Sequence, residues 1–251
     1  MSGLCAQFCS VFKQVAERDC QQFLILGPEN SGKTTLLYRL KFGSHWRNMQ
    51  QDLKDMKDSD NMMAYDPGYH YEEVQMLHRT CGLWDVPGAL RSVWRSWYNR
   101  LCIHGVFFVI DEKDAQFLAE QGTQGGRRAD EQKAAACARR ITEAKNMLHM
   151  LMNEDELRRA CFTVIINTQQ KPHDRKEDPY KEKTQENHPL HYRLGLHDLH
   201  PSCSWRVKDF TVDCNRINGE KDHKWQAVLK HVREVLADER SYGIRFRSAG
   251  Y

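Results

Sequence analysis

Nothing in this chain approaches the roughly 20 consecutive apolar residues that cross a bilayer, and no secretory leader is evident at its start. Nine cysteines are present, yet no two form a C-x-x-C pair and an odd count makes no closed disulfide framework. Reduced thiols in an intracellular, reducing compartment are therefore expected. Charge of one sign is also scarce in excess: 37 basic against 34 acidic residues leave a net charge of +3. That is too little to argue for a nucleic-acid partner. Residue 2 is Ser, so the glycine that N-myristoylation requires is missing.

What is present suffices for a sizeable core. The 251 residues, 40% of them hydrophobic, can hold one large α/β domain or two small ones. The centre of organisation is Gly27-Pro28-Glu29-Asn30-Ser31-Gly32-Lys33-Thr34. It follows the apolar run Phe23–Leu26, which reads as a buried strand, and precedes a helical pattern beginning at Thr35. Strand, glycine loop and helix form the context that turns G-x-x-x-x-G-K-T into a phosphate-binding loop. Its glycines allow the backbone N–H groups and the helix N-terminus to face phosphate oxygens. Lys33 is expected on the β- and γ-phosphates, and the Thr34 hydroxyl at a Mg²⁺ site.

Along the chain, residues 1–19 carry apolar side chains at the spacing of one helix face, from Leu4 to Val15, with Cys5 and Cys9 on the same side. Such a helix could lie on a membrane or pack on the domain. Strands are expected at Tyr71 to His78, Thr80 to Trp84, Gly105 to Asp111, Cys161 to Asn167 and Trp205 to Val212. Helices are expected at Trp94 to Tyr98, from Ala138 onward, and around Trp225 to Leu236. The strand at Thr80 ends in Asp85-Val86-Pro87-Gly88, about fifty residues after the loop. Asp-x-x-Gly in that place supplies an Asp85 ligand to the Mg²⁺ shell and a Gly88 N–H for the γ-phosphate. Residues 115–136, rich in glycine and small or charged side chains, and 173–189, nearly all polar, read as two surface insertions. Alternating strands and helices give a mostly parallel sheet covered on both faces, with the ligand at the carboxyl ends of its strands. One domain spans 20–238, and a tail follows at 239–251. His197, His200, Cys203 and Cys214 have near-ligand spacing for zinc. The tryptophans at 84, 94, 97, 205 and 225 suit core packing better than a base-stacking platform.

Several strings resemble the Arf/Arl family of small GTPases. Gly32-Lys33-Thr34-Thr35-Leu36-Leu37-Tyr38-Arg39-Leu40-Lys41 is close to that family's GKTTILYKLK. Trp84-Asp85-Val86 and Trp94-Arg95 resemble its WDVGGQ and LWRHYF, with about two residues fewer between them. Met150-Leu151-Met152-Asn153-Glu154-Asp155-Glu156-Leu157-Arg158 resembles MLAEDELR, and Leu194-Gly195-Leu196-His197 resembles LGLH. The resemblance implies a Ras-like P-loop NTPase fold, a bound guanine nucleotide with Mg²⁺, and protein partners.

The departures from the family pattern bear on mechanism. The family's water-orienting Gln falls on Ala89, so no catalytic residue is carried over there. The preceding Pro87 has no N–H and stiffens its loop. The Mg²⁺-binding switch Thr falls on Asp66, and no Thr occurs between Thr35 and Thr80. The base-reading N-K-x-D becomes Asn167-Thr168-Gln169-Gln170, which replaces a carboxylate by the Gln170 amide and weakens guanine discrimination. Val212 sits where the family's last base-contacting backbone comes from. The resulting expectation is a divergent GTP-binding protein with weak or lost hydrolysis, serving as a structural or interaction subunit through its insertions and termini. It would sit in the cytoplasm or in an organellar or cytoskeletal complex. Two alternatives stand beside it. One is a regulated Arf-like switch in membrane or ciliary trafficking, anchored by the N-terminal helix. The other is an empty pseudo-GTPase.

Overall fold

A computed structural model describes residues 20–46, 69–88, 91–121, 128–168, 188–219 and 222–238. Asp66, Ala89, Gln170, the helix expected at 1–19, the tail at 239–251 and nearly all of 173–189 lie outside them.

Six strands form one sheet in the order β2-β3-β1-β4-β5-β6. They are β1 (Gln21–Leu26), β2 (His70–Met76), β3 (Arg79–Asp85), β4 (Ile103–Asp111), β5 (Cys161–Asn167) and β6 (Val207–Val212). Only β2 runs antiparallel; it pairs with β3 from His70↔Asp85 to Met76↔Arg79. Of the four inner strands, β1, β4 and β5, which have parallel neighbours on both sides, are near-continuous apolar runs because parallel strands are buried on both faces.

Side chains alternate across the sheet and divide the core in two. Leu24 and Leu26 face one side with Phe108, Val164 and Trp84. That side is covered by α2 (Arg91–Tyr98) and α4 (Arg128–Met152), through Trp94, Trp97, Ile141, Leu148 and Leu151. Phe23 and Ile25 face the other with Phe107, Val109 and Ile165, beneath Leu36 and Leu37 of α1 (Lys33–Phe42) and Trp225, Val228 and Val232 of α7 (His223–Ala237). Burial of four of the five tryptophans considered above fits the packing role expected for them; Trp205 is partly exposed.

Three features depart from the sequence expectations. Most of the 115–136 segment is helical: α3 (Lys113–Gln121) fills its start, and α4 begins at Arg128 rather than at Ala138. Ala, Glu, Gln and Arg favour helix at both ends of the segment. Short helices α5 (Pro189–Arg193) and α6 (Pro201–Ser204) follow, each begun by a histidine cap before a proline. The β2–β3 turn places Leu77 and His78 at φ 60° and 61°, the left-handed pair of a tight hairpin built without glycine.

Candidate functional site

The loop Gly27–Thr34 leaves the carboxyl end of β1 and turns into α1. Gly27 has φ 140°, and a Cβ there would fall 2.1 Å from the Val109 carbonyl oxygen. Gly32 has φ 102°, and its Cβ would meet the Asn167 side-chain nitrogen at 2.4 Å. Neither position admits a side chain. No side chain caps α1, and its first turn holds no acid, so its amide N–H groups face the loop unopposed.

Lys33 is 7% exposed, and its ammonium donates to the Pro28 carbonyl at 2.6 Å. Burial pulls its pKa below the ordinary lysine value, while Asp85 and Glu29 oppose that pull. A charged amine held this way is suited to an anionic ligand, which restores its charge balance. Pro28 is half-buried, while Glu29 and Asn30 stand exposed at the rim, Asn30 with φ 57°. Ser31 is buried, and its hydroxyl has no hydrogen-bond partner among the described residues. Thr34 Oγ1 donates to Asp85 Oδ2 at 2.5 Å, and Asp85 is 4% exposed. The hydroxyl and carboxylate expected at the Mg²⁺ site are thus brought together. Thr35 lies partly buried behind them.

Gly88 packs directly on the phosphate loop. A Cβ there would lie 2.6 Å from the Gly27 carbonyl oxygen and 2.8 Å from the Glu29 nitrogen. The preceding Pro87 is fastened from the other side, because the Trp94 indole donates to its carbonyl at 3.0 Å.

Asn167, at the end of β5, holds the loops together. Its amide donates to the Ser31 carbonyl at 3.0 Å, and its oxygen accepts from the Cys214 N–H at 3.1 Å. Val212 is buried at the end of β6 and its carbonyl accepts the Thr168 N–H at 3.0 Å. The backbone turning over the rim is therefore that of Asp213 and Cys214, one step beyond Val212. The four residues with near-ligand spacing for zinc do not come together. His197 contacts Asp198, His200 caps α6, Cys203 Sγ donates to the His200 carbonyl, and Cys214 is buried elsewhere. Among the described residues, no cluster of three or more His, Cys, Asp or Glu could hold a metal.

One neighbour was not singled out by the sequence reading. His70 opens β2 directly opposite Asp85, with Nδ1 3.6 Å from Asp85 Oδ2. Strand register, not motif spacing, brings it there.

These residues fit a polyphosphate and a divalent cation. The cradle excludes Cβ atoms, the buried Ser31 hydroxyl lacks a protein partner, and the Lys33, Thr34 and Asp85 set supplies the required chemistry.

Residues 8–125, a little under half the chain, match the model of the ADP-ribosylation factor family. ADP-ribosylation factor D of Dictyostelium discoideum is 29% identical over 194 residues, covering 76% of this chain and 65% of that relative. The chain thus spans just under two thirds of the length of that curated relative. A solved structure of the Arl6 BBS3 small GTPase from Trypanosoma brucei, with the bound nucleotide analogue GppNp, aligns with 85% of this chain and 97% of its own. The TM-score is 0.49 and the identity 17%. GTPases of the Arf family bind guanine nucleotide and Mg²⁺. The family match runs through the phosphate loop, and over residues 8–125 this chain is similar to the ADP-ribosylation factor family.

Proposed function

We propose that this chain is a nucleotide-holding Arf-like protein whose hydrolysis is impaired, and that it works as a structural or interaction subunit of a larger assembly. The observation that carries the reading is a contrast within one site. The grip on phosphate is intact in Lys33, Thr34, Asp85 and the glycine cradle. The part that must orient water is altered: Ala89 stands at the Gln position, and the Pro87 carbonyl before it is tied to Trp94.

In this reading Lys33 and the loop N–H groups hold the β- and γ-phosphates, and Gly88 approaches the γ-phosphate side. Thr34 and Asp85 hold the cation, and Asp66 would add a carboxylate. When bound, Mg²⁺ supplies charge neutralisation between the phosphates. Asn167, with Gln170 and the backbone beyond Val212, borders the base, and GTP is the proposed nucleotide. Alanine at 89 can neither polarise nor place water, and losing such a group costs about 10²-fold or more in rate. Partners are proposed at the two polar segments and the termini, with the N-terminal helix as a membrane contact, in a reducing intracellular compartment.

The test is chromatography of nucleotide released from the purified full chain, together with a single-turnover hydrolysis assay. Near-stoichiometric guanine nucleotide and slow cleavage are expected, with Lys33→Ala losing the nucleotide. Rapid hydrolysis and exchange would overturn the reading and favour a regulated switch; an empty loop would favour a pseudo-GTPase.

A further inference from the structure

We infer that His70 is an additional ligand of the divalent-cation position, and that it tilts this site from Mg²⁺ toward cations that accept nitrogen, of which Mn²⁺ is the simplest. The inference rests on the reading above that Thr34 and Asp85 frame a cation position.

The placement of His70 is dictated by the sheet. It is the direct cross-strand partner of Asp85 in the antiparallel β2–β3 ladder, and such partners project on the same face. The Tyr38 ring, one helical turn beyond Thr34 on α1, stands edge-on to the imidazole at 5.8 Å between centroids. The ring is thus held between the helix that carries Thr34 and the strand that carries Asp85. Two side chains therefore converge on one oxygen: Thr34 Oγ1 at 2.5 Å and His70 Nδ1 at 3.6 Å from Asp85 Oδ2.

The second distance is informative. At 3.6 Å the imidazole is too far for a hydrogen bond. Two ligands on a shared ion, each about 2.2 Å from it, lie about 3.1 Å apart in octahedral and about 3.6 Å apart in tetrahedral geometry. The separation of His70 and Asp85 falls in reach of that spacing. The His70 side chain is 38% exposed, so solvent and an ion can reach the ring.

The chemistry then sets the preference. Mg²⁺ binds oxygen and resists nitrogen, whereas imidazole suits first-row transition ions, whose affinities rise from Mn²⁺ onward. The set of one hydroxyl, one carboxylate and one imidazole is mixed, and phosphate oxygens and water would complete it. An amide at position 70 would offer no comparable nitrogen donor.

The test uses the full chain, stripped of metal by a chelator with its nucleotide left in place. MnCl₂ is titrated in, free Mn²⁺ is read by electron paramagnetic resonance, and MgCl₂ is then added as competitor. Pulsed measurements on the frozen complex look for coupling to ¹⁴N, and are repeated on protein grown with ¹⁵N-histidine. One tightly held Mn²⁺, dependent on Thr34, is expected to show a nitrogen coupling that changes with the label. His70→Asn should lose that coupling and at least about tenfold of the Mn²⁺-over-Mg²⁺ preference. A Thr34-dependent ion without histidine coupling would overturn the role of His70 alone. No Thr34-dependent ion at all would overturn both this inference and the cation position beneath it. The isotope measurement needs no variant, so a folding defect in His70→Asn would not protect the inference.

Discussion

Asn167 donates its side-chain amide to the Ser31 carbonyl at 3.0 Å, joining the end of β5 to the phosphate loop. The same amide group's oxygen accepts from Cys214, so one side chain fixes the spacing of two loops. A polar residue with both ends satisfied in a buried site fixes geometry, because either end left unpaired is costly.

Gly32→Ala attacks that arrangement twice. The new methyl would sit 2.4 Å from Asn167 Nδ2, on a backbone at φ 102° that an L side chain rarely adopts. Nucleotide affinity is expected to fall by at least about tenfold and stability by about 1–3 kcal/mol. Equilibrium binding of a fluorescent nucleotide and a denaturant titration would measure the two effects. Unchanged affinity would show that the loop does not need this spacing.

Arg206 should be a strong point of stability away from the site. It is 2% exposed and donates to the carbonyls of Leu157, Ala160 and Met152 at 2.9, 3.1 and 2.8 Å, while its guanidinium stacks 4.9 Å from the Phe162 ring centre. It thereby ties the last carbonyl of α4, at Met152, to those of Leu157 and Ala160 in the turn that follows. Arg206→Leu would remove three donated bonds, with only the Leu157 carbonyl keeping another partner in the Ala160 N–H, and is expected to cost about 3 kcal/mol or more. Urea denaturation checks this, and a loss below about 1 kcal/mol would show that water replaces the bonds.

His231 gives stability a pH dependence with a definite sign. Burial lowers its pKa below 6.5, opposed by the Phe162 carbonyl and helped by Lys208. The unfolded chain therefore takes up a proton at a pH where the folded one stays neutral, so its contribution weakens as pH falls below about 6.5. His231→Phe should flatten this slope. Thermal midpoints of both proteins from pH 8 down to about 5 decide it; parallel curves would remove His231 as the cause.

Ala89→Gln tests whether the substitution at that position limits turnover. A restored water-orienting amide should raise single-turnover hydrolysis, by up to about 10²-fold if geometry is otherwise adequate. If only Ala89→Gln combined with Pro87→Gly recovers activity, the loop geometry limits the rate. No gain from either variant would show that position 89 does not limit turnover.

Much of the fold was readable from the residues, but unevenly. Apolar runs such as Phe23–Leu26 and Cys161–Asn167 marked buried strands because parallel strands bury both faces. The helices within 115–136 were not legible, since its glycines break the pattern while its alanines and long polar residues support helix at both ends. The Leu77–His78 turn carried no Asn-Gly signal, although its backbone adopts the left-handed pair. At the site, Lys33, Thr34 and Asp85 were legible because motif spacing encodes their meeting. His70 and Trp94 were not, since strand register and helix docking bring them in from a distance.

The bond from the Trp94 indole to the Pro87 carbonyl has a practical corollary. An indole emits at a wavelength that depends on what its N–H touches, so this tryptophan is a built-in optical gauge of the segment beside the phosphate loop. With the other tryptophans replaced by phenylalanine, loading and unloading the loop could be followed by colour alone, without attaching a dye.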